Sequence, residues 1–471
     1  MTDMITQLSR IAGPAFVLTG SDMESWSSDW VGIYHWTPLA VVRPANTAQV
    51  SQIVKLANQT GTPVVPVSGN TGLTGGSSAE GAIMLSLDRM STIREIRPDA
   101  RLAIVEAGAI LSSIHDAADA HDLIFPLTFG ARGSAMIGGA LSTNAGGSNV
   151  LRYGSTRDLC LGLEVVLPSG EILDMMSALH KNNSGYDLRH LMIGAEGTLG
   201  IITAAVLKLE PKPLAYATAM VAAPSIDQAL VLLNRLQSET SGAVEAFEYM
   251  PGPYIQAHME RFPDARAPFD TGYDVNIMIE VGATSARDAT PLPDGAIPVV
   301  DQLENALADL YEAGLVLDAV VAKTDAQRAG MWARREAAAE VSRMRHPSVD
   351  NDIAVPVDKM QTLVAHIDTR ARALDPEIVI LSVAHLGDGN LHFCGWPSTD
   401  DPAIHAAIHE AVEDLTIELG GSFSAEHGIG LSKLASMKQR KSSEALTTMR
   451  AIKHALDPNN ILNPGKVLPE T

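Results

Sequence analysis

Two histidines and an acid–histidine pair are the residues here whose types and spacing could carry chemistry. The first two lie in Ala384-His385-Leu386-Gly387-Asp388-Gly389-Asn390-Leu391-His392-Phe393. Asp-Gly suits a type I′ turn, whose central residues both need positive φ. A two-residue loop at Asp388-Gly389 predicts that Leu386 faces Leu391 and His385 faces His392. Directly opposed residues share one face of a ribbon, with Cβ atoms about 4.5–5.5 Å apart. Two imidazoles so placed would hold a metal ion if a carboxylate joined them. Glu426, in Ser424-Ala425-Glu426-His427-Gly428-Ile429-Gly430, is the candidate third ligand, with His427 beside it as acid or base. The same residues also read as hydrogen-bonded core histidines and a surface acid.

The elements that must position these groups are legible as apolar runs. Residues 378–383 are continuously apolar but for one serine and predict a buried strand leading into the first histidine. Residues 64–67 predict another strand, which delivers Ser68-Gly69-Asn70-Thr71-Gly72-Leu73-Thr74-Gly75-Gly76. Before it, Thr47 is read as the cap of a helix with Val50, Ile53, Val54 and Ala57 on one face, ended by Gly61. A second glycine cluster runs from Pro126 through Gly133, Ser134, Gly138 and Gly139 to Ser142-Thr143-Asn144-Ala145-Gly146-Gly147. A third is Gly194-Ala195-Glu196-Gly197-Thr198-Leu199-Gly200-Ile201-Ile202. Glycines after strands let amide N–H groups converge on an anion. Neither Gly-x-Gly-x-x-Gly nor a Walker sequence is present. Three such loops predict an extended ligand, and a dinucleotide fits better than a lone phosphate.

At 471 residues the chain is long enough for more than one core. With 46% hydrophobic and 19% charged residues it reads as globular. Acids outnumber bases 55 to 34, a net charge of −21, which argues against nucleic acid and anionic membrane surfaces as partners. Two cysteines make no disulfide framework and fit a reducing compartment. The first residues lack the pattern of a secretory signal, and no apolar stretch reaches about 20 residues, so the cytoplasm is expected. Pro211-Lys212-Pro213 marks a boundary. Beyond it, expected helices at 226–238, 299–313, 326–344, 357–374 and 402–420 alternate with strands at 216–221, 274–281 and 378–385, an α+β pattern with an antiparallel sheet. Trp26, Trp30, Tyr34, His35 and Trp36 in the lead-in (1–37) are expected to pack over a neighbouring domain.

Together these stretches resemble the FAD-linked 2-hydroxy-acid dehydrogenases with a vanillyl-alcohol-oxidase-type flavin domain. The resemblance runs from about residue 38 to 466. It rests on residues 66–76, Asn-Ala-Gly-Gly at 144–147, Gly-Ala-Glu-Gly-Thr-Leu-Gly at 194–200, the hairpin, Ala-Glu-His-Gly at 425–428 and Asn-Pro-Gly-Lys at 463–466. It implies an α+β fold: a two-lobed FAD-binding domain at 38–211, a substrate domain at 212–455, and a tail at 456–471 returning to the flavin domain. FAD would lie along Pro66, Ser68, Gly69, Asn70, Thr71, Gly72, Leu73, Thr74 and Gly75. It would also meet Pro126, Gly133, Ser134, Gly138, Gly139, Ser142, Asn144, Ala145, Gly146, Gly147 and Gly154, then Glu196, Gly197, Gly200, Ile201, Ile202 and Asn463. The first loop has no histidine, so FAD should be non-covalent.

The resemblance further implies a divalent ion, usually zinc, on His385, His392 and Glu426, with His427 as base and Arg335 clamping the substrate carboxylate; Arg334 is the competitor. Electrons would pass to an electron-transfer flavoprotein, a quinone or a cytochrome rather than NAD, and a homodimer is compatible with the pattern. Two departures bear on substrate. Members using dicarboxylates carry a lysine where this chain has Asp350, and an asparagine where it has Cys394. D-2-hydroxyglutarate is therefore in doubt unless Arg343, Arg345 or His346 substitutes. The competing functions are a metal-independent flavin oxidase of alcohols or aldehydes, a flavin-carrying electron-transfer subunit, and, remotely, a metal hydrolase.

Overall fold

Short strands without polar alternation build the first sheet of the computed structural model, which describes residues 2–470. β1 (Val17–Leu18), β2 (Ala40–Val42), β3 (Val64–Val67) and β4 (Ile83–Ser86) lie in the order β1-β2-β4-β3. β2, β4 and β3 run parallel. A parallel sheet is covered on both faces, which is why every residue of β2 and β4 is buried. The crossover helix Thr47–Thr60 turns Val50, Ile53, Val54 and Ala57 inward and ends at Gly61 with φ 64°. Its cap is Asn46 rather than Thr47: the Asn46 side chain accepts from Gln49 N–H, and the Thr47 hydroxyl donates to Glu164 at 2.6 Å.

A second, antiparallel sheet has the order β5 (Ile93–Arg97), β6 (Leu102–Glu106), β10 (Ile201–Lys208), β8 (Cys160–Val166), β9 (Ile172–Met175). β7 (Leu123–Ile124) pairs separately with β11 (Glu210–Pro211). These strands belong to the first of two units, which takes the chain up to Gly146, Gly154–Pro211 and everything from Glu426 onward. The return to this unit thus begins at Glu426, ahead of the expected 456. In the lead-in, Trp36 is buried beside Val65 and Val67 of the same unit, with Trp26 and Tyr34 packed on that cluster, while Trp30 is exposed.

The second unit, Gly147–Tyr153 and Lys212–Ala425, is organised on one large sheet. Its order is β15 (Asp318–Val321), β12 (Ala215–Ala222), β14 (Val275–Ala283), β13 (Val244–Pro251), β18 (Val383–His385), β19 (Asn390–Trp396), β16 (Val349–Ala354), with β17 (Val379–Ile380) also on β19. The strand period of two divides its residues cleanly. Ala219, Phe247, Ile279, Ile353, Ala384, Leu391 and Phe393 form one face, packed in the main core. The opposite face carries Met220, Met278 and Val383 in a smaller cluster. Thr218, Glu280, Glu248, His385, His392 and Asp352 sit on that second face by register.

Three sequence expectations change here. The strand expected over 378–385 is split into β17 and β18. The helix expected over 326–344 is two, Asp325–Glu336 and Ala338–Ser342, meeting at Ala337. In the hairpin, His385 pairs with Asn390 and Val383 with His392, so the loop has four residues and the register is shifted by two. Asp388 does not have positive φ; only Gly389 does, at 82°. Asp388 and Gly389 N–H groups both reach His385 O, closing a tight turn of helical sense before the glycine. A shift of two keeps both histidines on one face, where a shift of one would have separated them. Among the described residues no helix is long and apolar enough to cross a membrane.

Candidate active site

β13 is apolar in outline but carries Glu248, 1% exposed, on the sheet face opposite the main core. Its neighbour across β18 is His385, and the two are bonded, His385 Nδ1 to Glu248 Oε1 at 2.9 Å. The other oxygen, Oε2, lies 2.7 Å from Arg335 Nε. That contact is an ion pair without hydrogen-bond alignment, since neither atom has a bonded partner. Arg335 Nη2 is 3.5 Å from the His385 ring nitrogens. Burial pushes the Glu248 carboxyl up, but the charges and bonds of His385 and Arg335 outweigh it and hold its pKa below the ordinary value. With Glu248 accepting at Nδ1, the His385 lone pair falls on Nε2, the arrangement usual for a metal-ligating imidazole.

His392 stands edge-on to His385, ring centroids 5.3 Å apart and planes at 82°. Its Nδ1 is 3.8 Å from Asp352 Oδ1. Asp352 also accepts from Asn390 Nδ2 at 3.1 Å and from the Ala425 N–H at 3.2 Å. Ala425 is the last residue of the second unit, and Glu426 and His427 follow it directly. Within the second unit, ligand atoms of His385 and His392, and of His392 and Asp352, lie within 4.8 Å of one another. Two imidazoles and a carboxylate are a donor set that suits zinc. Arg335 is the arginine on the histidine side. Arg334 turns away, its Nη2 on Arg266 O and its own carbonyl accepting from Tyr254 Oη at 2.5 Å.

Glu248 and Asp352 escaped the sequence reading. Two acids, Glu245 and Glu248, in a strand whose other residues are apolar or aromatic were the available signal for Glu248, and alternation with Asp350 for Asp352.

In the first unit the glycine loops touch one another. A Cβ on Gly69 would stand 2.2 Å from Ser134 O, and one on Gly138 would meet Ala107 O at 2.9 Å and Ser68 Oγ at 3.3 Å, so backbone fills those places. Gly197 abuts the ring of Pro66, whose Cγ would lie 2.4 Å from a Cβ there. Around Gly72 and Gly133 nothing lies within 4 Å of a would-be Cβ, leaving their backbone open to a ligand. Ser142 Oγ donates to Gly138 O, and Asn144 Oδ1 accepts from Arg157 N–H. Ile201 and Ile202 are core residues at the start of β10. Gly147 falls in the second unit while Gly146 and Gly154 stay in the first.

Glu196 is an anchor of the chain itself. Its carboxylate accepts from Ile429 N–H at 2.7 Å and Gly430 N–H at 2.8 Å, though burial raises its pKa against those bonds. Thr74 O accepts from Leu431 N–H, and Thr74 Oγ1 donates to His427 O. Asn463 Nδ2 donates to Gly76 O and Glu196 O. Its Oδ1, in a residue 2% exposed, has no partner among the described residues. A buried acceptor without a donor, beside glycine loops with open amides, fits a bound dinucleotide.

Comparison with known proteins agrees with both halves. Residues 212–467 match the family of FAD linked oxidases, C-terminal domain, and residues 38–176 match an FAD binding domain. A D-2-hydroxyglutarate dehydrogenase of Xanthomonas citri pv. viticola is 36% identical over 457 residues, covering 95% of this chain and 93% of that protein. One from Stutzerimonas stutzeri is 33% identical, covering 99% of each. Among solved structures, p-cresol methylhydroxylase superposes with a TM-score of 0.75 at 18% identity, covering 99% of this chain and 96% of that one. Alkyldihydroxyacetonephosphate synthase reaches 0.74 at 16%, covering 98% and 84%. Those two likenesses show the fold. The full-length relatives and the domain matches show more: this chain is an FAD-linked oxidoreductase acting on a CH–OH group and belongs to the family of the D-2-hydroxyglutarate dehydrogenases.

Proposed function

We propose that the protein oxidises a D-2-hydroxy acid to the 2-oxo acid with non-covalent FAD and a divalent cation, zinc foremost, and passes the electrons to an acceptor other than NAD. The observation that carries this reading is the Glu248-oriented His385, flanked by His392 and Arg335 on one sheet face. The relatives' names support the substrate class.

His385, His392 and Glu426 would hold the cation, and the glycine loops with Asn463 would hold FAD. When bound, FAD takes up the two electrons and the cation lowers the pKa of an oxygen it contacts. Arg335 binds the substrate carboxylate. Its Nε is committed to Glu248, which leaves the paired Nη groups to form the fork that a carboxylate fits. That pairing also fixes which face of Cα the substrate shows. His427 takes the proton from the substrate hydroxyl, a role suited to an imidazole near neutral pH.

The test is anaerobic reduction. Purified yellow protein mixed with D-2-hydroxy acids, D-2-hydroxyglutarate first among them, should lose its flavin absorbance, and L-acids should not bleach it. Protein that binds FAD yet is bleached by no hydroxy acid of either hand would exclude the reaction. Catalysis unchanged in metal-free protein would exclude the cation alone.

A further inference from the structure

The sheet row next to the histidines holds a carboxylate, and it bears on which acid the site accepts. In β16 and β19, Asp352 pairs with His392 and Asp350 with Cys394. Residues two apart in a strand share a face. Asp350 and Cys394 therefore stand on the same face as His392 and Asp352, about 7 Å further along the strands. Cys394 is buried, while Asp350 opens to solvent. The Asp350 carboxylate accepts from Ser348 Oγ at 2.9 Å and from the Cys394 thiol. A carboxylate has about four acceptor positions, so it can take further donors on its open side. Arg343 and His346 act on this same carboxylate, which balances their charge. Arg345 is engaged elsewhere, with Glu260 at 3.1 Å and over the Trp396 ring.

We infer that Asp350 is a specificity-determining residue, and that the substrate is a D-2-hydroxy monocarboxylate bearing hydrogen-bond donors, hydroxyl groups, along the far part of its chain. This rests on the reaction proposed above. A substrate anchored by its carboxylate and C2 hydroxyl near Arg335 and His392 extends along the strands toward Asp350. A second carboxylate arriving there meets a like charge, whereas hydroxyl groups find an acceptor. A three-carbon acid is too short to reach that row and would gain nothing from it.

The experiment is anaerobic flavin bleaching of the FAD-loaded full chain with D-gluconate, D-2-hydroxyglutarate and D-lactate. We expect kcat/KM for D-gluconate to exceed that for D-2-hydroxyglutarate at least tenfold. In Asp350→Asn the ratio of D-gluconate to D-lactate should fall at least fivefold, and in Asp350→Lys the preference should shift toward the dicarboxylate. Flavin content and melting temperature are measured for each variant. If Asp350→Lys does not fold, the Asn variant decides. A wild-type preference for D-2-hydroxyglutarate, or ratios unmoved by Asp350→Asn, overturns the inference and leaves the reaction standing. If none of the three acids bleaches wild-type flavin, the reaction falls and the inference with it.

Discussion

Replacing Glu248 by glutamine tests the centre of the site through stability, independently of activity. The substitution keeps shape and an acceptor for His385 but removes the charge that Arg335 faces at 2.7 Å. Both side chains are nearly enclosed, Glu248 at 1% and Arg335 at 9% exposure, so solvent screens little of the loss. Removing one partner of a buried ion pair costs about 3–5 kcal/mol, because the remaining charge stays buried and uncompensated. For a unit of this size each kcal/mol moves Tm by about 2–4 °C, which puts the expected drop at about 6–20 °C. Replacing both partners with apolar residues, Glu248→Leu with Arg335→Met, should recover most of it, since no orphan charge is left. The assay is thermal unfolding by circular dichroism in chelator, because a metal bound to the native state would add its own stabilisation. A single variant within about 2 °C of wild type, or a double variant as unstable as the single, would refute the reasoning.

His392→Ala removes one of the two proposed imidazole ligands, so elemental analysis should find the metal gone while flavin absorbance persists; metal at the wild-type ratio would rule the site out. Comparing Glu426→Gln with Asp352→Asn then tells which acid joins the imidazoles: the larger loss of metal identifies the carboxylate ligand. Gly69→Ala pushes a methyl against Ser134 O and should cost about 1–3 kcal/mol, whereas Gly72→Ala has room within the protein and should keep its stability while losing flavin, because its methyl enters the proposed FAD path; equal melting temperatures in the two would count against the loop contact. Glu196→Ala frees the 429–430 amides and should lower kcat by up to about 10²-fold with FAD still bound, which flavin-normalised kinetics would check. Burial raises the Glu245 pKa, outweighing Tyr153 and Arg152. Its stabilising effect is full below the unfolded value, about 4.3, and is lost as pH rises through the folded value. Urea midpoints of Glu245→Gln should therefore show a flatter decline from about pH 4 to pH 8 than wild type; an identical slope would contradict this.

The glycine loops and the two histidines were legible because their signals are local. Each loop needs small residues at the point of contact, and each histidine needs only to fall on the right face of its strand. Helices such as Ile226–Glu239 and Pro298–Glu312 likewise follow from spacing and caps. The hairpin register was not legible, since Asp-Gly suits both a two-residue type I′ loop and the last step of a longer turn. Glu248 was hidden for a different reason. Its partner His385 lies 137 residues away, and no local pattern distinguishes a buried, paired carboxylate from a solvated one. The break at Ala337 is also a tertiary effect, because the residues around it remain good helix formers.

The way the first unit is assembled has a consequence for synthesis. β3 is the edge of its sheet, and residues near the C-terminus cover it: Val64 N–H reaches Ile461 O at 2.8 Å and Asn463 N–H reaches Val64 O at 2.8 Å. A nascent chain on the ribosome must therefore carry this strand with its edge groups bare until residues 461–463 have been made. A premature stop after Ala425 would release a polypeptide with an unprotected parallel edge, the kind of surface that recruits other strands. Loss of residues 461–463 should thus show first as aggregation, before any question of catalysis arises.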